Sequence, residues 1–423
     1  MTSLLDRPLH ILVLTDREWK HPQGGGTGTN LHAQVMRWLE WGHRVTIIAS
    51  AFDGCQTFER DGDLTVHRMG GRSTVFPRTI WKQWRGMVSD PDVVLEVVNG
   101  ITFLTPLWLR TPCVPLVHHV HREHYAEELG TLGRVAAVFL ETLPLRYLYR
   151  RSRFLTVSRA TAREITSEHR IPADRIQVEY NGVEMSDFGR GERAPDPELL
   201  YLGRLKRYKH IEVVLDVLEA IPEAMLHIAG DGDHRPALEQ EIAARGLADR
   251  VEMHGFVDED TKRRLLQRAW VNLTASQVEG WVLTVFEAAA CGTPSAALRV
   301  GGLPESIEDG RTGLLADDAA GLAEQTARLV RDDELRERLG AAAFERAHEF
   351  SWDRTAAQTL GMLAEAVSSP ATRPFARPRR FARSDQAAAP ADDDTRGESP
   401  AGEDLPLDGL ERDRALAERG SGR

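Results

Sequence analysis

Short apolar runs alternate with stretches of helical spacing along most of this chain. Residues 10–14, 44–49, 92–98, 114–118 and 154–157 read as strands, because each is a run of β-branched and aliphatic residues bounded by turn or polar positions. Residues 31–41 have helical spacing and stop at Gly42. Residues 127–149 form a longer helical region that Pro144 is expected to break. A polar stretch, 186–197, interrupts the pattern with Gly189, Gly191, Pro195 and Pro197, and reads as a linker. The alternation then restarts, with strands expected at 199–202, 225–229, 251–254, 271–273 and 295–298 and helical patterns between them. Helical spacing at 322–330, 334–349 and 352–367 completes the ordered pattern.

Strand and helix in turn is the signature of βαβ units and parallel sheets. The fold class is therefore α/β, with two Rossmann-like domains facing a cleft. The expected division is a first domain at 1–185, the linker at 186–197, a second domain at 198–350, a returning helix at 351–367 and a tail at 368–423. The tail is rich in Pro, Ala, Arg, Asp and Gly and poor in apolar residues, a composition expected of a disordered segment. In such sheets ligands bind outside the carboxyl ends of the strands, so the site belongs in the cleft.

At 423 residues the chain has room for two full hydrophobic cores. Its net charge of -11 argues against general nucleic-acid binding. Three scattered cysteines, Cys55, Cys113 and Cys291, make neither a disulfide framework nor a metal-ligand spacing. Asp6, Arg7 and His10 interrupt the start of the chain, and no stretch approaches the roughly 20 apolar residues of a membrane span. A cytoplasmic protein is expected, at most a visitor to the inner membrane surface.

The candidate chemistry sits at the ends of the expected strands. Glu279 and Glu287 stand eight positions apart in a segment that reads as a loop opening into a helix, which stops at Gly292 and Pro294. The start of such a helix presents free N–H groups and a positive dipole end to a phosphate. One carboxylate on each side of that phosphate suits a molecule with a sugar at both ends. Gly203-Arg204-Leu205-Lys206-Arg207-Tyr208-Lys209 places four cations in six positions after a strand, which suits a polyanion. Gly230 and Gly232 lie at another strand end, and Gly255-Phe256-Val257 forms an edge suited to a nucleobase. The run Gly24-Gly25-Gly26-Thr27-Gly28 reads as a flexible loop that accommodates an anion or sugar between the first strand and its helix. His118, His119, His121 and His124 cluster after the strand at 114–118, without a zinc spacing or a nearby cysteine.

Taken in this order, these segments resemble the retaining GT-B glycosyltransferases of the large family-4 group, the glycosyl transferases group 1. The resemblance covers roughly residues 9–367. Its most specific part is the Glu279–Pro294 segment; Gly42-His43-Arg44-Val45, Asn181-Gly182-Val183 and Gly301-Gly302-Leu303-Pro304-Glu305 support it. It implies a metal-independent hexosyltransferase in glycan biosynthesis that uses a UDP- or GDP-linked sugar donor, a hydroxyl acceptor and no further cofactor. It implies that Glu287 holds the nucleotide ribose, that Glu279 contacts the transferred sugar, that Arg204 and Lys209 hold the diphosphate, and that His121, or failing it His119, lies by the sugar. Gly25, Gly26, Gly203, Gly230, Phe256, Val282 and Leu283 complete the candidate donor site. It also implies that the helix at 352–367 crosses back onto the first domain. Val282 and His210 depart from the family pattern, which often has Gly at the first position and Gly or Asn at the second, and Gly28 stands where an acidic residue is common.

Other readings stay open at this level. Asp61-Gly62-Asp63 and Asp231-Gly232-Asp233 have the letters of a metal-binding D-x-D motif, although Asp-Gly more often marks a turn. Neither glycine cluster makes the G-x-G-x-x-G of a dinucleotide dehydrogenase. A GT-B epimerase, a phosphorylase or a non-catalytic nucleotide-sugar binding protein would share the architecture. Arg146, Arg150, Arg151 and Arg153, with Leu145, Tyr147, Leu148 and Tyr149, form either a helix packed on the sheet with a charged outer face or a patch that meets a membrane.

Overall fold

The structure is a computed structural model that describes residues 7–120, 135 and 137–368. The expected disorder of the tail beyond Ser368, and the candidates His121 and His124, fall outside the described residues.

Two sheets carry the fold. The first contains β1 (His10–Leu14), β2 (Arg44–Ala49), β3 (Phe58–Asp61), β4 (Leu64–Arg68), β5 (Val93–Val98), β6 (Cys113–Val117), β7 (Phe154–Thr156) and β8 (Ile176–Val178). Their order is β3-β4-β2-β1-β5-β6-β7-β8, parallel except for β3. The second sheet contains β9 (Glu198–Leu202), β10 (Met225–Ala229), β11 (Val251–Gly255), β12 (Val271–Thr274), β13 (Ser295–Leu298) and β14 (Gly313–Ala316), in the all-parallel order β11-β10-β9-β12-β13-β14. Each order turns back on itself beside its first strand, as in a doubly wound dinucleotide-type sheet, and opens a crevice there.

The ten expected strands form, to within a residue or two at the ends. Four others escaped the pattern. β3 and β4 are a half-exposed hairpin at the sheet edge, and Ile176–Val178 is a three-residue edge strand with no fully buried position. β14 is buried and four residues long. Gly62 (φ 54°) and Asp63 turn the hairpin, so Asp61-Gly62-Asp63 is a turn.

Apolar side chains from both faces of each sheet pack under helices. In the first lobe Ile11, Val13, Val45, Ile47, Val93 and Leu95 meet Leu31, Val35 and Trp38 of the helix Gly25–Glu40. The C-terminal helix Trp352–Ser368 joins this same core through Ala356, Leu360 and Leu363. Trp38 Nε1 donates to the Ala356 carbonyl at 3.0 Å, and Arg37 pairs with Asp353. The chain therefore crosses from the second lobe back to the first. The crossing explains Asn181-Gly182-Val183: a methyl on Gly182 would stand 2.3 Å from the Trp352 nitrogen, and Val183 N–H donates to the Phe350 carbonyl at 3.0 Å.

Residues 186–197 are tied to the second lobe. Arg193 donates to the carbonyls of Gln267, Ala269 and Gly292, and Trp270 Nε1 donates to the Ala194 carbonyl at 2.8 Å. Pro144 does not break its helix. It lies in Leu143–Tyr147, which continues directly from a π-helical turn at Val138–Thr142, so the helix changes pitch just before the proline instead of ending there. Leu145 and Tyr149 are fully buried under the first sheet, while Tyr147 is exposed beneath Arg146. The buried side of this segment packs on the sheet. Among the described residues, no helix is long and apolar enough to cross a membrane.

Candidate functional site

The segment expected to be a glycine-rich loop is a helix start. Helix Gly25–Glu40 begins inside it, with Gly24 as N-cap, so Gly25 to Asn30 form its first turns. Glycines weaken a helix, which is why spacing pointed only to residues from 31 onward. Its first N–H groups have no acceptor within the helix, and its first residues lie against the second lobe. A methyl on Gly25 would stand 3.5 Å from Arg204 Nε, and one on Gly26 would stand 3.5 Å from Leu283 Cδ1.

Across the cleft, the first residue of helix Leu283–Ala290 is the one that Gly26 approaches. It ends as the sequence implies: Gly292 has φ 71° and donates to the Ala289 carbonyl, and Thr293 N–H reaches back to Ala288. Val282 precedes it in extended backbone (φ -107°), which a β-branched residue adopts without strain. Its side chain packs with Val285, Leu303 and Ile307 inside the second lobe. The valine thus leaves the helix start open.

The cations after β9 line the same space. Arg204 Nη2 donates to Tyr208 Oη at 3.1 Å, and Tyr201 Oη donates to the Arg204 carbonyl at 3.1 Å. Lys209 Nζ donates to Glu279 Oε1, with both side chains largely buried. Burial works against the Lys209 charge, but the Glu279 carboxylate outweighs it and holds the pKa above the ordinary lysine value. Lys206 turns away to pair with Asp233 at 2.7 Å, so Asp231-Gly232-Asp233 belongs to an ion-paired turn. Gly25, Gly26, Arg204, Lys209, Glu279 and Leu283 are brought together in this way.

Glu287 lies one turn inside its helix and accepts from Lys262 Nζ at 2.9 Å. Lys262 also pairs with Glu259, and these carboxylates raise its pKa against the opposing effect of burial. Gly203 and Gly230 are joined by packing: a methyl on Gly230 (φ 140°) would stand 1.9 Å from the Gly203 carbonyl oxygen. Gly230 therefore serves the close approach of two strand ends. Phe256, next to Gly255 at the end of β11, is 88% exposed. An aromatic face held open at a strand end can stack a planar ring.

The lobes touch at Gly280, where a methyl would stand 2.0 Å from the His118 carbonyl oxygen. Glu305 makes a second junction. Its carboxylate accepts from the N–H groups of Arg159 and Ala160 at 2.8 and 2.7 Å and from Tyr180 Oη at 2.9 Å, and so caps the first-lobe helix Arg159–His169. His118 and His119 follow β6.

The first lobe adds a cluster that the motifs did not single out. Asp16, two residues after β1, accepts from Asn99 Nδ2 at 2.6 Å and pairs with Arg17 and Arg72 at 3.0 and 3.4 Å. Burial lowers the Arg17 pKa from the usual arginine value; Asp16 opposes this, and the positive Arg72 and Arg204 add to it. Asp16 and Asn99 each follow an expected strand by one or two residues, and that position was the available signal.

Residues 184–346 match the family described as glycosyl transferases group 1, and residues 24–187 match glycosyltransferase family 4. A D-inositol 3-phosphate glycosyltransferase of Paenarthrobacter aurescens is 31% identical over 304 residues, covering 64% of this chain and 71% of its own. The fold is shared with sucrose-phosphate synthase of Thermosynechococcus elongatus (TM-score 0.73, 18% identity, 86% of this chain and 100% of that one). It is also shared with Anabaena HepE, solved in complex with UDP-glucose (TM-score 0.67, 18% identity, 85% and 99%). With two facing lobes, a returning C-terminal helix and matches across both halves, the chain belongs to the family-4, group 1 glycosyltransferases of the GT-B type.

Proposed function

We propose that this protein is a retaining, metal-independent hexosyltransferase, which moves a sugar from a nucleoside diphosphate donor to a hydroxyl acceptor. The observation that carries the reading is the meeting of two helix N-termini, at Gly25 and Leu283, with Arg204 and Lys209 in one cleft. Departure of a nucleoside diphosphate builds negative charge on the leaving group. Four preorganised positive elements aimed at that charge supply what a divalent cation supplies elsewhere, and each such donor is typically worth about 10²–10³ in rate.

In this reading Glu279, fixed by Lys209, faces the transferred sugar. Glu287 exchanges its Lys262 contact for, or shares it with, the ribose hydroxyls, and Phe256 stacks the base. The acceptor hydroxyl attacks from the leaving-group side, and its proton passes to the departing diphosphate, so the anomeric configuration is kept. HepE's complex favours uridine as the base and glucose as a first sugar to try. For the acceptor, the relative's name and the Arg17–Arg72 pair favour trying phosphorylated polyols first.

Calorimetry of UDP, GDP, ADP and their sugar conjugates in chelator tests the donor site. One nucleotide is expected to bind without metal. Arg204→Ala should then lower turnover by about 10²–10³ with the thermal melt unchanged. Binding of none of them, or near-normal turnover of Arg204→Ala, would overturn the reading.

A further inference from the structure

A second cluster lies outside the cleft, on the edge of the second sheet. His227 on β10 and Glu252 and His254 on β11 place ligand atoms within 4.8 Å of one another. His227 Nδ1 stands 3.0 Å from His254 Nε2 and 3.4 Å from Glu252 Oε2, and the rings overlap at a centroid distance of 5.2 Å. Glu252 Oε1 is 3.7 Å from His254 Nδ1. Bonds of about 2.0–2.1 Å from a tetrahedral zinc ion place its ligands roughly 3.3 Å apart. The His227–His254 and His227–Glu252 separations sit close to that edge length.

Two features go beyond proximity. The first is the other side of His227. Its Nε2 is buried without a hydrogen bond and lies 3.5 Å from Glu198 Oε2, and Glu198 is itself gripped by Arg268. A carboxylate on that side attracts a proton to Nε2, which leaves the lone pair on Nδ1, the nitrogen that faces His254 and Glu252. That is the usual support of a metal-bound imidazole. The second is the backbone. β10 and β11 pair His227 with Glu252 and Ile228 with Met253, and then Ala229 with Gly255. His254 is the extra residue of a bulge. Bulges re-aim side chains, and this one brings His254 against His227.

We infer that His227, His254 and Glu252 form a binding site for a divalent transition metal of the zinc class, with Glu198 orienting His227 and solvent completing the coordination. Two imidazoles and a carboxylate suit zinc, and copper and nickel compete for such a set. The metal clamps β11 to β10 at the bulge. The next residues, Gly255 and Phe256, border the cleft, and Gly230 N–H donates to the Gly255 carbonyl at 2.7 Å. The ion therefore stiffens one wall of the cleft and takes no part in the chemistry. The inference stands on this cluster alone and does not depend on the donor assignment.

The test is zinc chloride titrated into the metal-free full chain, against a chromophoric chelator, with cobalt as a spectroscopic probe. One equivalent should bind, and His254→Ala and His227→Ala should each abolish it. Glu252→Gln, at an exposed position, should weaken it without disturbing the fold, and Glu198→Gln should weaken it about 10–100-fold. Melting in chelator, equal for wild type and variants, separates lost binding from lost folding. No zinc binding by the wild type would overturn the inference. So would undiminished binding by either His254→Ala or His227→Ala, which would place the ion elsewhere, such as the histidines at 118–124.

Discussion

His210 holds the left-handed conformation (φ 48°, ψ 50°) between the short turn Arg207–Lys209 and the helix Ile211–Glu219. A Cβ in that region costs roughly 1–2 kcal/mol, and this explains why Gly or Asn is common at the position in the family that the chain resembles. His210→Gly should raise stability by about 1 kcal/mol in urea unfolding, part of the gain being returned as chain entropy. An unchanged midpoint would mean that the loop redistributes the strain. Val282 is the opposite case. Its departure from glycine carries no strain, because the backbone there is extended and the side chain joins an apolar cluster. Both substitutions stood out in the sequence, but only the dihedral angles told them apart.

Among the elements, the helix Arg159–His169 shows how the lobes are joined. Ser158 caps it locally by accepting from Thr161 N–H at 3.0 Å, as the sequence would allow. Glu305 from the other lobe accepts from the two N–H groups that remain at its start. A carboxylate there gains from both hydrogen bonds and the helix dipole. Glu305→Ala should cost about 1–2 kcal/mol, and hydrogen exchange should quicken at the first turn of that helix. Protection equal to wild type would show that water replaces the carboxylate without loss.

At the scale of the whole molecule, stability should depend on one misplaced carboxyl. Glu179 follows β8, close to where the chain passes between lobes, and burial raises its pKa from 4.5 to about 7, against the opposing hydrogen bond from Gln177. The folded state then binds a proton that the unfolded state releases between those values. Stability from this group is fully present below about pH 4.5 and is lost as pH rises toward 7, on the order of 3 kcal/mol in all. Glu179→Gln should remove that slope from a series of urea melts taken across the range. A slope that persists would assign it to other groups.

By itself the sequence determined the elements that local spacing encodes. Alternating apolar runs specify the central strands, and a break at 186–197 separates two βα arrays. Glu279 to Pro294 specify a loop, a helix and its stop within sixteen residues. Periodicity and capping are properties of neighbours, so they survive in a linear string. The tertiary structure decided which distant groups meet. Lys209 holds Glu279 across 70 positions, Lys262 holds Glu287 across 25, and Glu305 caps a helix 146 residues earlier. It also decided that Gly25 begins a helix, since the poor propensity of three glycines is outweighed by packing of the later turns. Asp16 with Arg17, Arg72 and Asn99, and His227 with His254, belong to this second kind. Apart from the chain neighbours Asp16 and Arg17, these residues come from different strands or loops, and only the order in which the strands lie side by side brings them together.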